Sequence, residues 1–445
     1  MKRKILAVPF LVIIFFFWEI AISFSFRNTD DKLSLEDNIS FALKLDNKDS
    51  DYPSTKGIDL LMESFLDRNK IKGASVAITH KEKLVYSKGF GIANTETGDS
   101  IQPGHLFRIA SISKLITAVA ILKLYENGRC NLDDQVFGTQ GILNENRFLS
   151  FNDPRIVKIT IRNLLNHTAG WSKAKGDPIF NPLYVANRMK APLPVDIDLL
   201  VEFTLKQKLG NDPGKRYTYS NFGYAVLGKI IEKVSGMPYE DYVNINILKP
   251  LDIKDMHIGK SFYHEKFPNE VMYFEPAGSP KCIAFDGSGQ LTSMAYGGND
   301  IELLGAAGGW VASAPELVKF MSAIDGFTDQ PDILSKETIK MMTDPGIAGS
   351  GLYGWRGTDK RGTWWRTGSL SGAVALIVRQ DNGVNWVVLL NSSSYHRNRI
   401  HSRLSKTMFT ATYKTKTWPE INLFYAKNHN TPLPIATIPP INPEL

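Results

Sequence analysis

Ser111 stands three residues ahead of Lys114 in Arg-Ile-Ala-Ser-Ile-Ser-Lys-Leu-Ile-Thr, at the mouth of an apolar stretch. Residues three apart share one face of a helix, so these two side chains can meet. A serine hydroxyl is a weak nucleophile until a neighbouring base takes its proton. A lysine amine can do so once burial and nearby cations lower its pKa from roughly 10.4. The pair therefore reads as a nucleophile with its own base. The same serine also suits a helix N-cap. A second Ser-x-x-Lys, Ser172 to Lys175, lies among loop residues with no apolar period behind it. After Ser111, by contrast, residues 115–124 form a run of helix-packing side chains stopped by Asn127-Gly128.

Two more triplets carry polar chemistry. Tyr219-Ser220-Asn221 follows the turn Asp212-Pro213-Gly214 and precedes an amphipathic segment, residues 222–234. There a phenol can relay a proton to a leaving group and a carboxamide can bind a substrate carbonyl. Tyr242-Val243-Asn244 repeats the pattern inside an apolar segment, where Tyr242 reads as a packing residue. Arg366-Thr367-Gly368 ends a strand candidate and is followed by Ser369. The glycine leaves room for a substrate against the strand edge, and the cation beside it can hold a carboxylate.

The elements that must position these groups can be read from periodicity. A helix is expected over residues 57–69, then alternating strands over 74–79 and 84–89 joined by His80-Lys81-Glu82-Lys83. Residues 130 to about 300 are mainly helix and loop, rich in Pro, Asn and Gly. A helix over 317–324 precedes strands at 362–366, 373–379 and 385–390, with Asp381-Asn382-Gly383 as a tight turn, and a closing helix at 397–412. This order predicts an α+β fold: an antiparallel sheet built from both chain ends and flanked by helices, with a mainly helical region inserted over about 130–300.

Ser-x-x-Lys at a helix start, Tyr-x-Asn about a hundred residues on and basic-Thr-Gly on a late strand together resemble the serine β-lactamase and penicillin-binding-protein superfamily. Leu106 to Ala110, Ile159 to Gly170 (with Asn166-His167-Thr168-Ala169-Gly170) and Ala307 to Ser313 resemble its class C-related branch. The resemblance runs over residues 56–412 and implies a β-lactamase/transpeptidase-like fold. It implies Ser111 as the acylated nucleophile, Lys114 as general base and Tyr219 as proton carrier. Asn221 would contact the acyl side chain, and Arg366, Thr367, Gly368 and Ser369 would line the substrate. The N–H groups of Ser111 and Ser369 would form an oxyanion hole. His167 reads as a turn-holding side chain. Arg366 departs from the lysine or histidine usual there: it stays charged and offers a planar fork, but cannot take a proton.

The expected function is an exported serine hydrolase that cleaves an ester, amide, peptide or β-lactam bond through an acyl-enzyme on Ser111. The alternative is a catalytically degraded, penicillin-binding-protein-like binding or sensor protein. The expected partner is a small-molecule or peptide substrate, and the cation at Arg366 points to one that bears a carboxylate. No cofactor is implied, and the eight histidines show no zinc-type spacing. The net charge of +7 is spread along the chain without a basic run interleaved with aromatics, which argues against nucleic acid. Lys2, Arg3 and Lys4 precede the apolar residues 5–26, so residues 1–26 read as a signal peptide or a retained membrane anchor and the body as extracytoplasmic, periplasmic or secreted. Residues 27–55 read as a polar tether and 413–445 as a proline-rich tail. Cys130 and Cys282 are open to pairing or to remaining free.

Overall fold

The computed structural model describes residues 39–425 apart from 173, 175, 349–350 and 394–398. The apolar stretch 5–26 and Lys175 of the second Ser-x-x-Lys lie outside the described residues. Among those described, no helix is long and apolar enough to cross a membrane.

Helix α1 (Lys56–Asn69) leads into the hairpin β1 (Gly73–His80) and β2 (Lys83–Gly91). Helix α2 (Ser113–Glu126) follows, then α3 (Pro182–Met189), α4 (Ile197–Leu205), α5 (Asn221–Ser235), α6 (Ile301–Gly308) and α7 (Ala314–Ser322). The chain returns to the sheet as β3 (Gly357–Thr358), β4 (Trp364–Leu370), β5 (Ala373–Arg379) and β6 (Val384–Leu390), and α8 (Ile400–Lys414) closes it. The sheet order is β2-β1-β6-β5-β4-β3, and each pairing is antiparallel. Both chain ends thus supply the sheet.

Alternation along the strands loads both faces. Val76, Ile78, Leu376, Val378 and Trp386 meet α1 and α8, while Ala77, Ala375, Ile377 and Val387 belong to the larger core with α2 and α7. Helix α2 is apolar on every side, and each residue from Ser113 to Leu122 is buried. A helix sunk this deeply fixes what stands on its first turn.

Two boundaries differ from those expected. Residues 40–55 are not a free tether from Ser40 onward. Ser40 and Asp46 cap short 3-10 turns, Ala42 and Leu45 are buried, and Ser40 Oγ donates to Glu316 at 2.7 Å. Nor does the tail begin at 413. Helix α8 runs to Lys414, Leu423 N–H donates to Leu84 O at 2.8 Å, and Phe424 packs edge-on against Phe41 at 5.4 Å. A few apolar anchors outweigh the polar composition of both segments. Cys130 and Cys282 are both free thiols.

Candidate active site

A short 3-10 turn, Ala110–Ile112, carries Ser111 directly into α2. Ala110 takes φ +49°, a left-handed conformation that costs an L-residue roughly 1–2 kcal/mol. Lys114, on the first turn of α2, is wholly buried and reaches back to Ser111 Oγ at 3.4 Å. Its Nζ also donates to Asn221 Oδ1 at 2.8 Å and to the carbonyl of Ala307. That carbonyl belongs to the last turn of α6, where helix hydrogen bonds leave oxygens unclaimed. Two of the three partners can only accept. A neutral Lys114 amine would place its two N–H bonds on them and leave its lone pair for Ser111.

Tyr219 and Asn221 flank the N-terminus of α5, which Ser220 caps by accepting from Gly223 N at 3.0 Å. Tyr219 Oη lies 2.8 Å from Ser111 Oγ. His167 holds this segment from behind: its carbonyl accepts from Thr218 N at 2.7 Å, its Nδ1 accepts from Ser220 N at 3.2 Å, and its ring lies 4.5 Å from that of Tyr219. Tyr242 of the second Tyr-x-Asn is a core residue, and Ser172 of the second Ser-x-x-Lys is exposed in a loop.

Asp177, which the sequence reading did not single out, completes the arrangement. Its carboxylate accepts from Asn221 N at 2.6 Å, from Asn221 Nδ2 at 3.3 Å and from Phe222 N at 3.2 Å. It satisfies the free N–H groups at the start of α5 and turns the Asn221 carboxamide so that its oxygen faces Lys114. Asp-Pro at 177–178 was a turn signal, but nothing local tied it to Asn221, 44 positions away.

The third triplet is only partly where it was expected. Arg366 is 1% exposed; its Nε donates to Ser111 O at 2.8 Å and its Nη2 to Tyr219 Oη at 3.0 Å. Two of its nitrogens are thus engaged by the protein, where the expectation was a fork held out to a substrate carboxylate. Thr367 stands on the opposite strand face: its cross-strand partner Leu376 belongs to the α1–α8 side, whereas Ile377 opposite Arg366 belongs to the other. Thr367 lines a cavity with His401 beneath α8 and is not brought onto Ser111. Gly368 leaves room not for a substrate but for the chain itself, since a Cβ there would lie 2.3 Å from Ile109 O. Ser369 is exposed at the same strand end.

Electrostatics tune the cluster. Burial brings the Lys114 amine down to about 8; the Tyr219 phenolate opposes the fall and Arg366 adds to it. Burial alone would raise Tyr219, but the cations of Lys114 and Arg366 outweigh it and bring the phenol to about 7. Two groups that can take the Ser111 proton thus titrate near neutrality. Among the described residues no group of three or more His, Cys, Asp or Glu is placed to hold a metal ion.

Comparison with known proteins places the chain in a family. In sequence, the chain is 29% identical over 233 residues to protein flp of Staphylococcus aureus (strain MW2), a match covering 52% of this chain and 43% of that protein. It is 28% identical over 211 residues to penicillin-binding protein 4* of Bacillus subtilis (strain 168), covering 46% and 41%. It thus spans less than half the length of these curated relatives. In structure it is similar to the octameric penicillin-binding protein homologue from Pyrococcus abyssi, with TM-score 0.60 and 27% identity over 82% of this chain and 79% of that one. It shares its fold with D-amino acid amidase from Ochrobactrum anthropi SV3, with TM-score 0.61 and 23% identity over 82% of this chain and 100% of that one. The family model described as Beta-lactamase matches residues 58–405. With most of its length matched, the chain belongs to the β-lactamase family, within the serine β-lactamase and penicillin-binding-protein superfamily, and has the β-lactamase/transpeptidase fold.

Proposed function

We propose that this protein is a serine hydrolase that forms an acyl-enzyme on Ser111 and releases it with water. The observation that carries the reading is the place of Ser111 Oγ, 2.8 Å from Tyr219 Oη and 3.4 Å from Lys114 Nζ. In acylation, Ser111 Oγ bonds to the carbonyl carbon of an ester or amide while its proton passes to the unprotonated member of the Lys114–Tyr219 pair. The tetrahedral oxyanion is met by the N–H groups of Ser111 and Ser369. As it collapses, the bond to the leaving oxygen or nitrogen breaks and Tyr219 supplies the proton. Water then adds to the acyl carbon, gives its proton to the same pair, and Ser111 departs reprotonated. Ester, amide, peptide and β-lactam bonds all fit this sequence, and the relatives' penicillin-binding and amidase names support acyl transfer. Export is part of the proposal and rests on residues 2–26 alone.

The test is the intact mass of the protein after treatment with a fluorophosphonate, which bonds an activated serine with loss of fluoride. One adduct on the native chain, absent from Ser111→Ala, is expected. A folded native protein that takes no adduct would overturn the reading in favour of a binding or sensor protein.

A further inference from the structure

We infer that the acyl group of the substrate is aromatic or bulky and apolar, and that it seats in the pocket beside Asn221. The inference rests on the acyl-enzyme reading above. A pocket of about 480 Å³ opens directly on the segment Thr218–Phe222, and no residue of β4 lines it. Ligand pockets run from roughly 300 to 1,000 Å³. Trp171 and Phe222, edge to face at 5.4 Å and almost wholly buried, wall one part. Tyr184 on α3 and Phe203 on α4, edge to face at 6.0 Å, wall another, with Tyr184 43% exposed. Val185 and Leu209 add buried aliphatic surface.

Among the described lining residues the charged ones are Asp177 and Lys208. The Asp177 carboxylate is already held by the N–H groups of Asn221 and Phe222, and Lys208 is exposed. A charged group entering between the aromatic pairs would exchange water for ring surface, a cost that an apolar group does not meet. Arg366 donates through two of its nitrogens to Ser111 O and Tyr219 Oη. Of the two halves of a substrate, the acyl half must stay through both chemical steps. A recessed pocket contiguous with Asn221 suits the half that stays.

Two isomeric esters test this directly: methyl phenylacetate carries its ring on the acyl side and benzyl acetate on the leaving side. The expected result is a kcat/KM at least about tenfold higher for methyl phenylacetate, after correction for hydroxide reactivity. Methyl hydrogen succinate, with a charged acyl group, should be poorer still. Phe203→Ala should lower the ratio of phenylacetyl to acetyl ester at least about fivefold, mainly through KM. Tyr184→Ala should do the same from a half-exposed position, so the test survives if the Phe203 variant does not fold. Equal handling of the isomers, a preference for benzyl acetate or the succinate, or unchanged ratios in both variants would overturn the inference. If the fluorophosphonate adduct forms on Ser111 in that case, the acyl-enzyme reading stands and only the pocket assignment fails. Absence of the adduct overturns both.

Discussion

The Asp177 carboxylate lies 2.6 Å from the backbone nitrogen of Asn221 and 3.3 Å from its carboxamide nitrogen, and so presents the carboxamide oxygen to Lys114. Asp177 also acts through charge, since its carboxylate holds the Lys114 pKa up against burial and Arg366. Asp177→Asn removes that charge and one strong acceptor. Fluorophosphonate labelling should slow about tenfold at its plateau, the order expected for a hydrogen bond to a charged group. The acid limb of its pH profile should move to lower pH, because Lys114 then loses its proton more readily. A variant that merely loosened the loop would slow labelling and leave the limb where it was.

The native profile follows from the same pair. With Tyr219 near 7 and Lys114 near 8, the two share macroscopic steps around neutrality. On the proposed mechanism the proton acceptor for Ser111 is therefore gained as pH rises through that window. Labelling should climb between about pH 6 and 8 and level off by about pH 9. A rate still climbing steeply at about pH 10 would mean that an ordinary lysine, with pKa near 10.4, limits the reaction.

Much of this arrangement was legible in the residues. Strand β5 falls on residues 373–379, the strand candidate ahead of the Asp-Asn-Gly turn, and Ser111, Lys114, Tyr219 and Asn221 are brought together. What was hidden depends on partners remote in sequence. The charge of Arg366 was plain, but only the crossing of β4 against the Ala110–Ile112 turn buries it under Ser111. Gly368 announced a close approach without saying which backbone makes it. Thr367 was grouped with its neighbours by motif, yet strand alternation turns it to the other face. Asp177 lies in a loop with no periodicity to read, and the buried ends of 40–55 and 415–425 were masked by polar composition.

Away from the site, Glu82 offers a stability test. It is 4% exposed at the β1–β2 turn, and burial, followed by the charges of Asp325 and Asp329, pushes its carboxyl up to about 8. The folded state therefore binds a proton that the unfolded chain has lost above about pH 4.5. That contribution is fully present below the unfolded value and disappears as pH rises through 8. Glu82→Gln stays neutral throughout, so its melting temperature should exceed that of the native protein by about 2–4 °C at pH 9. At pH 5 the two should melt within about a degree of each other. Equal melting at both values would show that Glu82 ionises without cost.

Gly368 tests the contact between β4 and the turn that carries Ser111. A methyl group there would sit 2.3 Å from Ile109 O and 3.2 Å from Ala110 Cβ, so strand and turn must part. Because Arg366 and Ser369 ride on the same strand, Gly368→Ala should slow labelling by about a hundredfold or more, as misplacement by an ångström can. It should also lower the melting temperature. A rate within threefold of native would show that the strand edge can yield without disturbing Ser111.

Arg366 separates geometry from charge. Its Nε and Nη2 bridge Ser111 O and Tyr219 Oη at 2.8 and 3.0 Å, a span that a single ammonium nitrogen reproduces poorly. Arg366→Lys keeps a cation near Tyr219 and loses part of the bridge, so labelling should fall about tenfold with little change in pH dependence. Arg366→Met removes the cation as well. Arg366 lowers both Lys114 and Tyr219, so without it both should rise and the acid limb should move to higher pH. That displacement is opposite to the one expected for Asp177→Asn, and comparing the two profiles with native checks both signs in one experiment. Shifts in the same direction would mean that the limb reports neither Lys114 nor Tyr219. The Lys variant then decides what the arginine contributes beyond charge: if it labels at the native rate, the bridge to Ser111 O is dispensable and the cation alone suffices.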